Sequence, residues 1–493
     1  MKLQKNVFLL FLILIFSITV SFPLEKLDKN LEKGFSSIQP LESYYYCKTI
    51  ASKEFAGRLT GHEGYSAAAK WAAKKFKEWG LKPLSQREGY LQAYPSPYTL
   101  VDQAELTLLL PEEKSDPNKE PVFKETKLEA GKDFLPLLFS DSGDNAAELV
   151  FGGWGISAPE LGYDDYAGLD VKGKFILCFR GTPDEADKRY ENYDQHRTRM
   201  KKAKERGALG LFYIAPEVAS NPNGDWIQGF TPATITEKIS DQILKEKGAN
   251  SADLKKVLQT YKRPISFPLH SKVHFKVASR HFTNGIGYNI VGYVEGSDSN
   301  FRKECLVVGG HFDHTGLHLG FLFPGADDNA SGSAVVMEIA EAFSKLNKQP
   351  RRSVVFALFG GEEMGLQGST YFVDHIPSQF SKVDSMFNFD MVGEGDASGC
   401  VFTANAPEFK KALEDADQYV HTLRFTGTIS GVGVRSSDYA PFFLKGAACM
   451  SFHSNGPHLF YHLPGDTIYR INPDIMADIA RLAFLSGYNW ANR

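Results

Sequence analysis

The residues best suited to chemistry are histidines and acids that follow short apolar runs. The segment "VVGGHFDHTG" places His311 and Asp313 one position apart, directly after strand-forming residues and two glycines. A further histidine, His314, follows at once; we expect it to be a solvated loop residue, and a place in the cleft is the alternative. Imidazole and carboxylate groups bind divalent metals. The segment therefore indicates a metal site at the end of a strand.

Three later segments repeat this pattern of an apolar run or glycine turn followed by a metal-binding side chain, and a fourth presents a histidine in a loop. They are "GADDNASG" with Asp327 and Asp328, "VVFALFGGEE" with Glu362 and Glu363, "SMFNFD" with Asp390, and "YHLPGDT" with His462.

The elements that carry these residues alternate between strand and helix from about residue 286 onward. Such alternation predicts an α/β fold with a mainly parallel mixed sheet sandwiched by helices. Ligands bind beyond the carboxyl ends of such strands, so we expect the histidines and acids to converge on one rim. Carboxylates brought so close would repel one another unless cations lay between them.

The number and types of the converging groups indicate which metal they would hold. Two histidines and three or more carboxylates, without a thiolate, suit a catalytic zinc site. The set exceeds the needs of one tetrahedral zinc with a bound water. One shared carboxylate would resolve the excess, because paired metals at ~3.5–4 Å separation are a known arrangement. We therefore predict two Zn²⁺ per chain.

The rest of the sequence predicts how the chain is divided into domains. Residues 63–84 have helical spacing with a glycine at the expected end. Residues 101–280 contain short β runs separated by turns, and their histidines and acids show no ligand spacing. We predict a signal peptide at 1–21, an N-terminal part of the main domain at 22–100, a β-rich non-catalytic insertion at 101–280, and the main domain at 281–493.

The N-terminus indicates where the protein acts, and the composition indicates which partners and cysteine chemistry to expect. Lys2 and Lys5 precede a nearly continuous apolar run from residue 7 to residue 20, as in a secretory signal peptide. We expect a secreted or periplasmic protein with no membrane association after cleavage; an uncleaved anchor is the alternative. The net charge of −4 offers no basic stripe for nucleic acid. The five scattered cysteines favour buried thiols.

Taken in order, the motifs "GGHFDH", "GADDNASG", "FGGEEMGLQGS", "NFDMVG" and "YHLPGDT" resemble those of the co-catalytic di-zinc aminopeptidases, metallopeptidase family twenty-eight. This family also includes glutamate carboxypeptidases. The resemblance covers about residues 45–95 and 285–490. Two segments of the insertion, "GYDDYAGLDVKGKFILCFRG" and "KAKERGALGLFYI", resemble a protease-associated (PA) domain. The resemblance implies a role in shaping substrate access; the alternative is a passive insertion.

The resemblance implies a role for each motif residue. The expected metal ligands are His311 and Asp390 on one zinc, Glu363 and His462 on the other, and Asp327 as the bridge between them. Glu362 resembles the general base, and Asp313 resembles the acid that supports the His311 imidazole. The family also implies a cis peptide bond after the bridging acid, here between Asp327 and Asp328.

Four further residues are candidates for substrate contact. His453 and His458 lie near the loop "SFHSNGPHLFYH", which we expect to border the substrate pocket. The segment "GVRSSDYAPFF" resembles a family stretch that usually reads Ser-Asp-His, and Tyr439 stands where that histidine would be. Asp438, just before it, could support the pocket or serve in a simple turn.

The combined pattern predicts a secreted di-zinc exopeptidase, and we rank first an aminopeptidase that acts on peptides with a free N-terminus. The resemblance implies that a zinc-bridging hydroxide attacks the peptide bond, with Glu362 as general base. The alternatives are a glutamate-carboxypeptidase-like enzyme, for which Arg435 is the one nearby arginine, a glutaminyl cyclase, and a binding protein on the same scaffold. The oligomeric state stays open.

Overall fold

The structure is a computed structural model, and it describes residues 26–85, 88–112, 122–395, 400–422 and 437–493. The expected signal peptide and Arg435 lie outside these described residues. Within them, no helix has both the length and the apolar character needed to cross a membrane. Cys47, Cys178, Cys305 and Cys449 are buried free thiols, as expected for a core that needs no disulfide.

The described residues form helices and strands that are numbered here in chain order. The helices are α1 (Lys29–Phe35), α2 (Pro40–Ile50), α3 (Glu63–Glu78), α4 (His196–Glu205), α5 (Glu237–Leu244), α6 (Ser251–Tyr261), α7 (Gly332–Ser344), α8 (Gln367–Asp374), α9 (Glu408–Asp417), α10 (Tyr439–Leu444) and α11 (Pro473–Ala491). The strands are β1 (Lys82–Pro83), β2 (Leu91–Pro95), β3 (Tyr98–Pro111), β4 (Phe123–Lys127), β5 (Phe134–Pro136), β6 (Gly143–Gly152), β7 (Ser157–Ala158), β8 (Tyr163–Asp164), β9 (Phe175–Phe179), β10 (Gly210–Ala215), β11 (Ala233–Thr236), β12 (Ser266–Phe282), β13 (Ile286–Val294), β14 (Glu304–His311), β15 (Gly316–His318), β16 (Phe321–Phe323), β17 (Ser353–Phe359), β18 (Lys382–Phe389), β19 (Cys400–Ala404) and β20 (Ala448–Ser454).

The first large sheet has the strand order β1-β13-β17-β14-β18-β20-β19, and β2 also pairs with β13. Its four central strands, β17, β14, β18 and β20, run parallel, whereas β13 and β19 pair antiparallel at the two sides. Helices cover both faces of this sheet. The predicted α/β fold with a mixed, centrally parallel sheet is therefore confirmed.

The alternation of side chains along β14 explains why both faces of the sheet are covered. Leu306 and Val308 belong to one apolar cluster, which also contains residues of α2, α3, α7 and α11. Cys305 and Val307 point to the opposite face and join a cluster with residues of α8 and α10. Because both faces are buried, the strand reads as a continuous apolar run rather than as an alternating one.

The second large sheet has the order β4-β3-β12-β6-β9-β10-β11-β5, and all its strands lie between residues 98 and 282. It has its own apolar clusters, in which α4, α5 and α6 take part. The segment that the sequence presents as β-rich thus also contains helices and three parallel strand pairings. We call residues 98–282 the insert; its exact limits as a domain stay a prediction.

Helix α7 contains a buried acid that lies away from the expected metal site. Glu338 is 1% exposed, and burial, together with the charges of Glu341 and Glu42, raises its pKa to about 8. In the unfolded chain, the same carboxyl titrates near its ordinary value of 4.5. Between these values the folded protein retains a proton that the unfolded chain releases. The free energy of unfolding therefore falls as pH rises from about 4.5 to about 8.

We expect Glu338→Gln to stabilise the protein by roughly 3–4 kcal/mol more at pH 8 than at pH 5, since the pKa rises from 4.5 to about 8 and one pKa unit corresponds to ~1.4 kcal/mol. Urea unfolding at both pH values measures the difference. Glu414→Gln, which changes an exposed acid on α9, is the matched control. An equal change at pH 5 and pH 8 would show that Glu338 is ionised in the folded state.

Candidate metal centre

Three neighbouring parallel strands end at the same rim of the first sheet. β14 ends at His311, β17 is followed by a glycine pair and then by Glu362 and Glu363, and β18 is followed by Asp390. This rim is the carboxyl edge, where open α/β sheets bind their ligands. A distorted turn, Ala326–Ser331, brings a further acid to the rim just before α7 begins.

The side chain at the centre of the rim is Asp328. One of its oxygens, Oδ1, lies 3.2 Å from Nε2 of His311, and the other, Oδ2, lies 3.2 Å from Nε2 of His462. Asp328 is 2% exposed, and both histidines are also buried. One carboxylate thus faces two imidazoles that come from distant parts of the chain.

Two groups of possible metal ligands share Asp328. The first joins it with His311 and Asp390, whose Oδ1 lies 3.3 Å from Nε2 of His311. The second joins it with Glu363, His462 and His314. Within each group, the donor atoms lie within 4.8 Å of one another. A third group joins His311 with Glu362 and Glu363. The structure therefore brings five of the predicted site residues to one place: His311, Glu362, Glu363, Asp390 and His462.

The acid predicted to form the bridge needs correction. Asp327 lies elsewhere: its Oδ1 accepts hydrogen bonds from the backbone N–H groups of Gly393 and Glu394, each at 2.9 Å, and its Oδ2 pairs with His458. The carboxylate between the two histidines belongs to Asp328. The cis peptide bond is likewise one residue later than expected, between Asp328 and Asn329.

The prediction for His314 was also wrong. Its side chain is fully buried, not solvated, and Nδ1 lies 2.9 Å from Oε1 of Glu363. His314 sits one position after Asp313 in the same segment as His311. The sequence does place a second histidine close to the first, but the expectation of a solvated loop excluded His314 from the predicted ligands.

The pKa values of His311 and His462 show which charge is favoured at the rim. Burial lowers the pKa of His462, but Glu363 and Asp328 outweigh burial and raise it to about 10. Burial likewise opposes the charged form of His311, yet Asp390 and Glu362 raise its pKa well above the ordinary value. The carboxylates thus stabilise positive charge at this rim. That preference, together with the N and O donor set, fits divalent zinc.

Glu362 differs from its neighbour Glu363. Burial raises the pKa of Glu362 well above its usual range, despite the opposing charge of His311. For Glu363, burial also acts upward, but His462 and the hydrogen bond from His314 outweigh it, and the pKa falls to about 2. Glu362 therefore has the higher affinity for a proton, whereas Glu363 stays a charged carboxylate. Adjacent residues consequently have different chemical properties.

Asp313 lies beneath the rim and is fully buried. Its Oδ1 accepts a hydrogen bond from the backbone N–H of Glu362 at 3.2 Å and lies 3.9 Å from Nδ1 of His311. The backbone carbonyl of Asp313 is closer to that nitrogen, at 3.3 Å. Burial raises the pKa of the Asp313 carboxyl to about 7. The backbone as well as the side chain of Asp313 thus faces the His311 imidazole.

The insert contributes to the site through Ser220. Nδ1 of His462 donates a hydrogen bond to the Ser220 carbonyl at 3.0 Å, and the Ser220 N–H donates to the His462 carbonyl at 3.1 Å. The first bond fixes the hydrogen on Nδ1, so Nε2 is free to face Asp328 and Glu363. A residue more than 200 positions away in the sequence therefore orients one candidate ligand.

A cavity of about 340 Å³ lies between the insert and the rim. Glu362, Glu363 and His462 line one side of it. The insert supplies the other side, including Arg180, His196, Tyr213, Ser220 and Asn223. A substrate that reaches the rim through this cavity would contact both parts of the chain.

The four residues predicted to contact substrate are placed differently. Asp438 is fully buried, and burial raises its pKa to about 7. Tyr439 packs in the apolar cluster beside α8. His458 pairs with Asp327, and the half-buried His453 lies on β20. Among the residues that the structure describes, none of the four lines the 340 Å³ cavity.

Arg58 holds the loops that carry the candidate ligands. Its fully buried guanidinium donates to the carbonyls of Phe312 at 2.8 Å and Gly325 at 2.9 Å. It also donates to the carbonyls of Ile50 at 2.9 Å and Pro324 at 2.8 Å. Phe312 directly follows His311, and Pro324 and Gly325 closely precede Asp328, whereas Ile50 ends α2. One side chain thus positions the two ligand-bearing segments relative to each other.

We expect Arg58→Lys to lower the free energy of unfolding by ~2–4 kcal/mol, because a buried acceptor left without a partner costs ~1–3 kcal/mol and lysine cannot reach all four carbonyls. The variant should also retain less zinc after dialysis. Urea unfolding and metal analysis measure the two effects. Arg481→Lys, a change remote from the rim, serves as control. Wild-type stability and zinc retention in Arg58→Lys would contradict this role.

The fold and the site define a metallopeptidase-like α/β domain with a second sheet inserted. Residues 289–486 match the model of peptidase family M28. The predicted resemblance is thereby confirmed over these residues.

Curated relatives extend the similarity beyond that region. The chain is 26% identical over 415 residues to an aminopeptidase of Pseudomonas aeruginosa, covering 81% of this chain and 67% of that protein. It is 25% identical over 376 residues to aminopeptidase YwaD of Bacillus subtilis, covering 73% and 71%. Leupeptin-inactivating enzyme 1 of Streptomyces exfoliatus is 33% identical over 157 residues, and the chain spans only about a third, 33%, of its length.

Solved structures agree on the fold. An aminopeptidase from Aneurinibacillus sp. strain AM-1 has a TM-score of 0.64 at 20% identity, with 93% of this chain and 95% of that chain covered. A zinc aminopeptidase from Bacillus subtilis has a TM-score of 0.60 at 19% identity, with 92% and 95% covered. Because both coverages are high, the fold similarity extends over the insert as well as over the first sheet, whose rim carries the candidate metal ligands.

Proposed function

We propose that this protein is a di-zinc exopeptidase, and specifically an aminopeptidase. The observation that carries the proposal is the position of Asp328, which presents one oxygen to His311 and the other to His462, each at 3.2 Å. A carboxylate with an imidazole beside each oxygen suits a bridge between two ions. Asp390 would complete the first position, and Glu363 the second. The names of the Pseudomonas aeruginosa and Bacillus subtilis relatives favour aminopeptidase activity.

The roles of the chain's own residues follow from their places. When bound, a pair of zinc ions activates a water molecule and polarises the carbonyl of the scissile bond. Glu362 accepts the proton of the attacking water and returns it to the leaving amine. Burial suits Glu362 to this task, because it raises the proton affinity of the carboxylate. Ser220 and Asp313 keep the two imidazoles in orientation.

We propose that the insert shapes access to the rim. Its side chains supply one wall of the 340 Å³ cavity, and Ser220 contacts His462 directly. Arg197 joins the two parts of the chain as well: it pairs with Asp225 at 2.8 Å and donates to the carbonyl of Met364 at 3.2 Å. These contacts favour an access-shaping role over a passive insertion and accord with the predicted protease-associated character.

A glutamate-carboxypeptidase-like activity is the second candidate. A carboxypeptidase must bind a terminal carboxylate, and Arg180 of the insert lines the cavity beside the rim. One arginine gives less support than the cluster that such an enzyme needs. We therefore rank aminopeptidase activity first.

A hydrolysis panel distinguishes the two activities. Purified protein is tested on aminoacyl chromogenic amides with a free amine and on N-acetylated peptides that carry a C-terminal acidic residue. We expect cleavage of the free-amine substrates and none of the blocked ones. Cleavage of only the blocked peptides would replace the aminopeptidase proposal with the carboxypeptidase. Absence of all hydrolysis by zinc-loaded protein would exclude both.

We propose further that the protein is exported. The proposal rests on the two early lysines and the apolar run from residue 7 to residue 20. N-terminal sequencing of protein recovered from the periplasm or the medium tests it. A mature N-terminus near residue 22 supports export, whereas an intact Met1 on intracellular protein contradicts it.

A further inference from the structure

His314 completes a ring of donor atoms at the second metal position. Its Nδ1 lies 2.9 Å from Oε1 of Glu363 and 3.7 Å from Oδ2 of Asp328. The ring closes through His462, whose Nε2 lies 2.8 Å from Oε2 of Glu363 and 3.2 Å from Oδ2 of Asp328. For zinc with bonds of ~2.0–2.1 Å, neighbouring tetrahedral ligands stand ~3.3 Å apart. The four observed separations bracket that distance.

The fold holds the His314 ring in this position. A Cβ at Gly325 would lie 2.4 Å from Cγ of His314, so only glycine lets the ring lie this close to the turn. Gly325 also has a φ of +57°, which glycine adopts without strain. The backbone N–H of His314 donates to the carbonyl of Arg58 at 3.2 Å. The chain therefore provides space for the ring and fixes its backbone.

We infer that His314 binds metal through Nδ1 as an additional ligand, which gives the second position two imidazoles and two carboxylates. The first position has one imidazole, from His311, with the carboxylates of Asp328 and Asp390. This inference rests on the proposed two-metal site and adds an asymmetry to it. The second position has a complete set of four protein ligands, as in structural zinc sites, whereas the first retains an open place, as in catalytic ones.

The asymmetry predicts different affinities for the two ions. The second position should fill first and should retain its ion during dialysis, and the first position should exchange its ion more readily. The competing interpretation is that His314 only donates a hydrogen bond to Glu363 and positions that carboxylate. Glutamine at 314 separates the two, since its amide N–H can still donate to Glu363 but is a poor metal ligand.

The experiment uses the full chain stripped of metal and titrated with Zn²⁺ or Co²⁺. Wild-type protein, His314→Gln and His318→Gln are compared by chelator competition and by the visible absorption of bound Co²⁺. His318 is a matched control, because it is also fully buried but is absent from the ligand groups of the described residues. X-ray absorption at the zinc edge of wild-type protein with one equivalent of Zn²⁺ counts the bound imidazoles independently of any variant.

We expect two imidazoles on the first zinc equivalent. His314→Gln should weaken the tighter ion at least ~10-fold and change its Co²⁺ spectrum, while leaving the weaker ion unchanged; the loss of a supporting partner alone costs ~10–100-fold in comparable sites. His318→Gln should bind both ions as wild type does. One imidazole, or a wild-type spectrum in His314→Gln, would overturn the inference while the two-metal site stands. Wild-type protein that binds fewer than two ions would instead refute the proposed function.

Discussion

Replacing Glu362 with glutamine should lower kcat on an aminoacyl chromogenic amide by ~10²–10⁴-fold, the usual contribution of a positioned general base. The amide cannot accept the proton of the attacking water. KM and zinc content should change little, because Glu362 is not needed to complete either metal position. Steady-state kinetics and metal analysis on the same preparation measure all three quantities.

Its neighbour provides the sharpest control. Glu363→Gln removes a charged carboxylate that lies 2.8 Å from His462, so it should lose zinc as well as turnover. Glu394→Gln changes an acid beside Asp327 and should retain both zinc and turnover. If Glu362→Gln kept kcat within tenfold of wild type, the proton would have to be taken by another group, and the mechanism would be wrong at that step.

Asp328→Asn should remove zinc from both positions, because one carboxylate serves both. The weakening should exceed the ~10–100-fold typical of a lost supporting partner, since a ligand itself is changed. Turnover should fall below detection at zinc concentrations that saturate the wild type. Equilibrium dialysis against buffered zinc, followed by metal analysis, measures the loss.

Asp327→Asn is the matched control at the adjacent position. Asparagine keeps an acceptor oxygen for the N–H groups of Gly393 and Glu394, so the local backbone contacts can persist. We expect this variant to bind two zinc ions per chain and to lose only its charged contact with His458. Loss of zinc in Asp327→Asn with retention in Asp328→Asn would restore the assignment that the sequence suggested.

Much of the site could be predicted because its residues follow buried strands. The apolar runs of β14, β17 and β18 are long enough to recognise, and parallel neighbours bring their carboxyl ends together. His311, Glu363 and Asp390 were therefore placed at one rim from spacing alone. His462 follows no such strand: it was a candidate as a histidine in a loop, and the family motif gave it its role.

The residues that were misplaced depend on geometry that spacing does not contain. Asp327 and Asp328 are adjacent acids, and the backbone of the distorted turn Ala326–Ser331 decides which one faces the histidines. The burial of His314 depends on contacts with two other residues. Arg58 lies far from it in the sequence, and Gly325 lies just before the distorted turn. Long-range packing also explains why Ser220 was missed, since nothing in its own segment marks it.

The most direct test of the central claim is anomalous diffraction at the zinc edge from crystals of the full chain grown with zinc. We expect two peaks ~3.5–4 Å apart, one on each side of the Asp328 carboxylate, with His311 and His462 on opposite ions. A single peak, a peak beside Asp327 and His458, or no peak at the rim would contradict it.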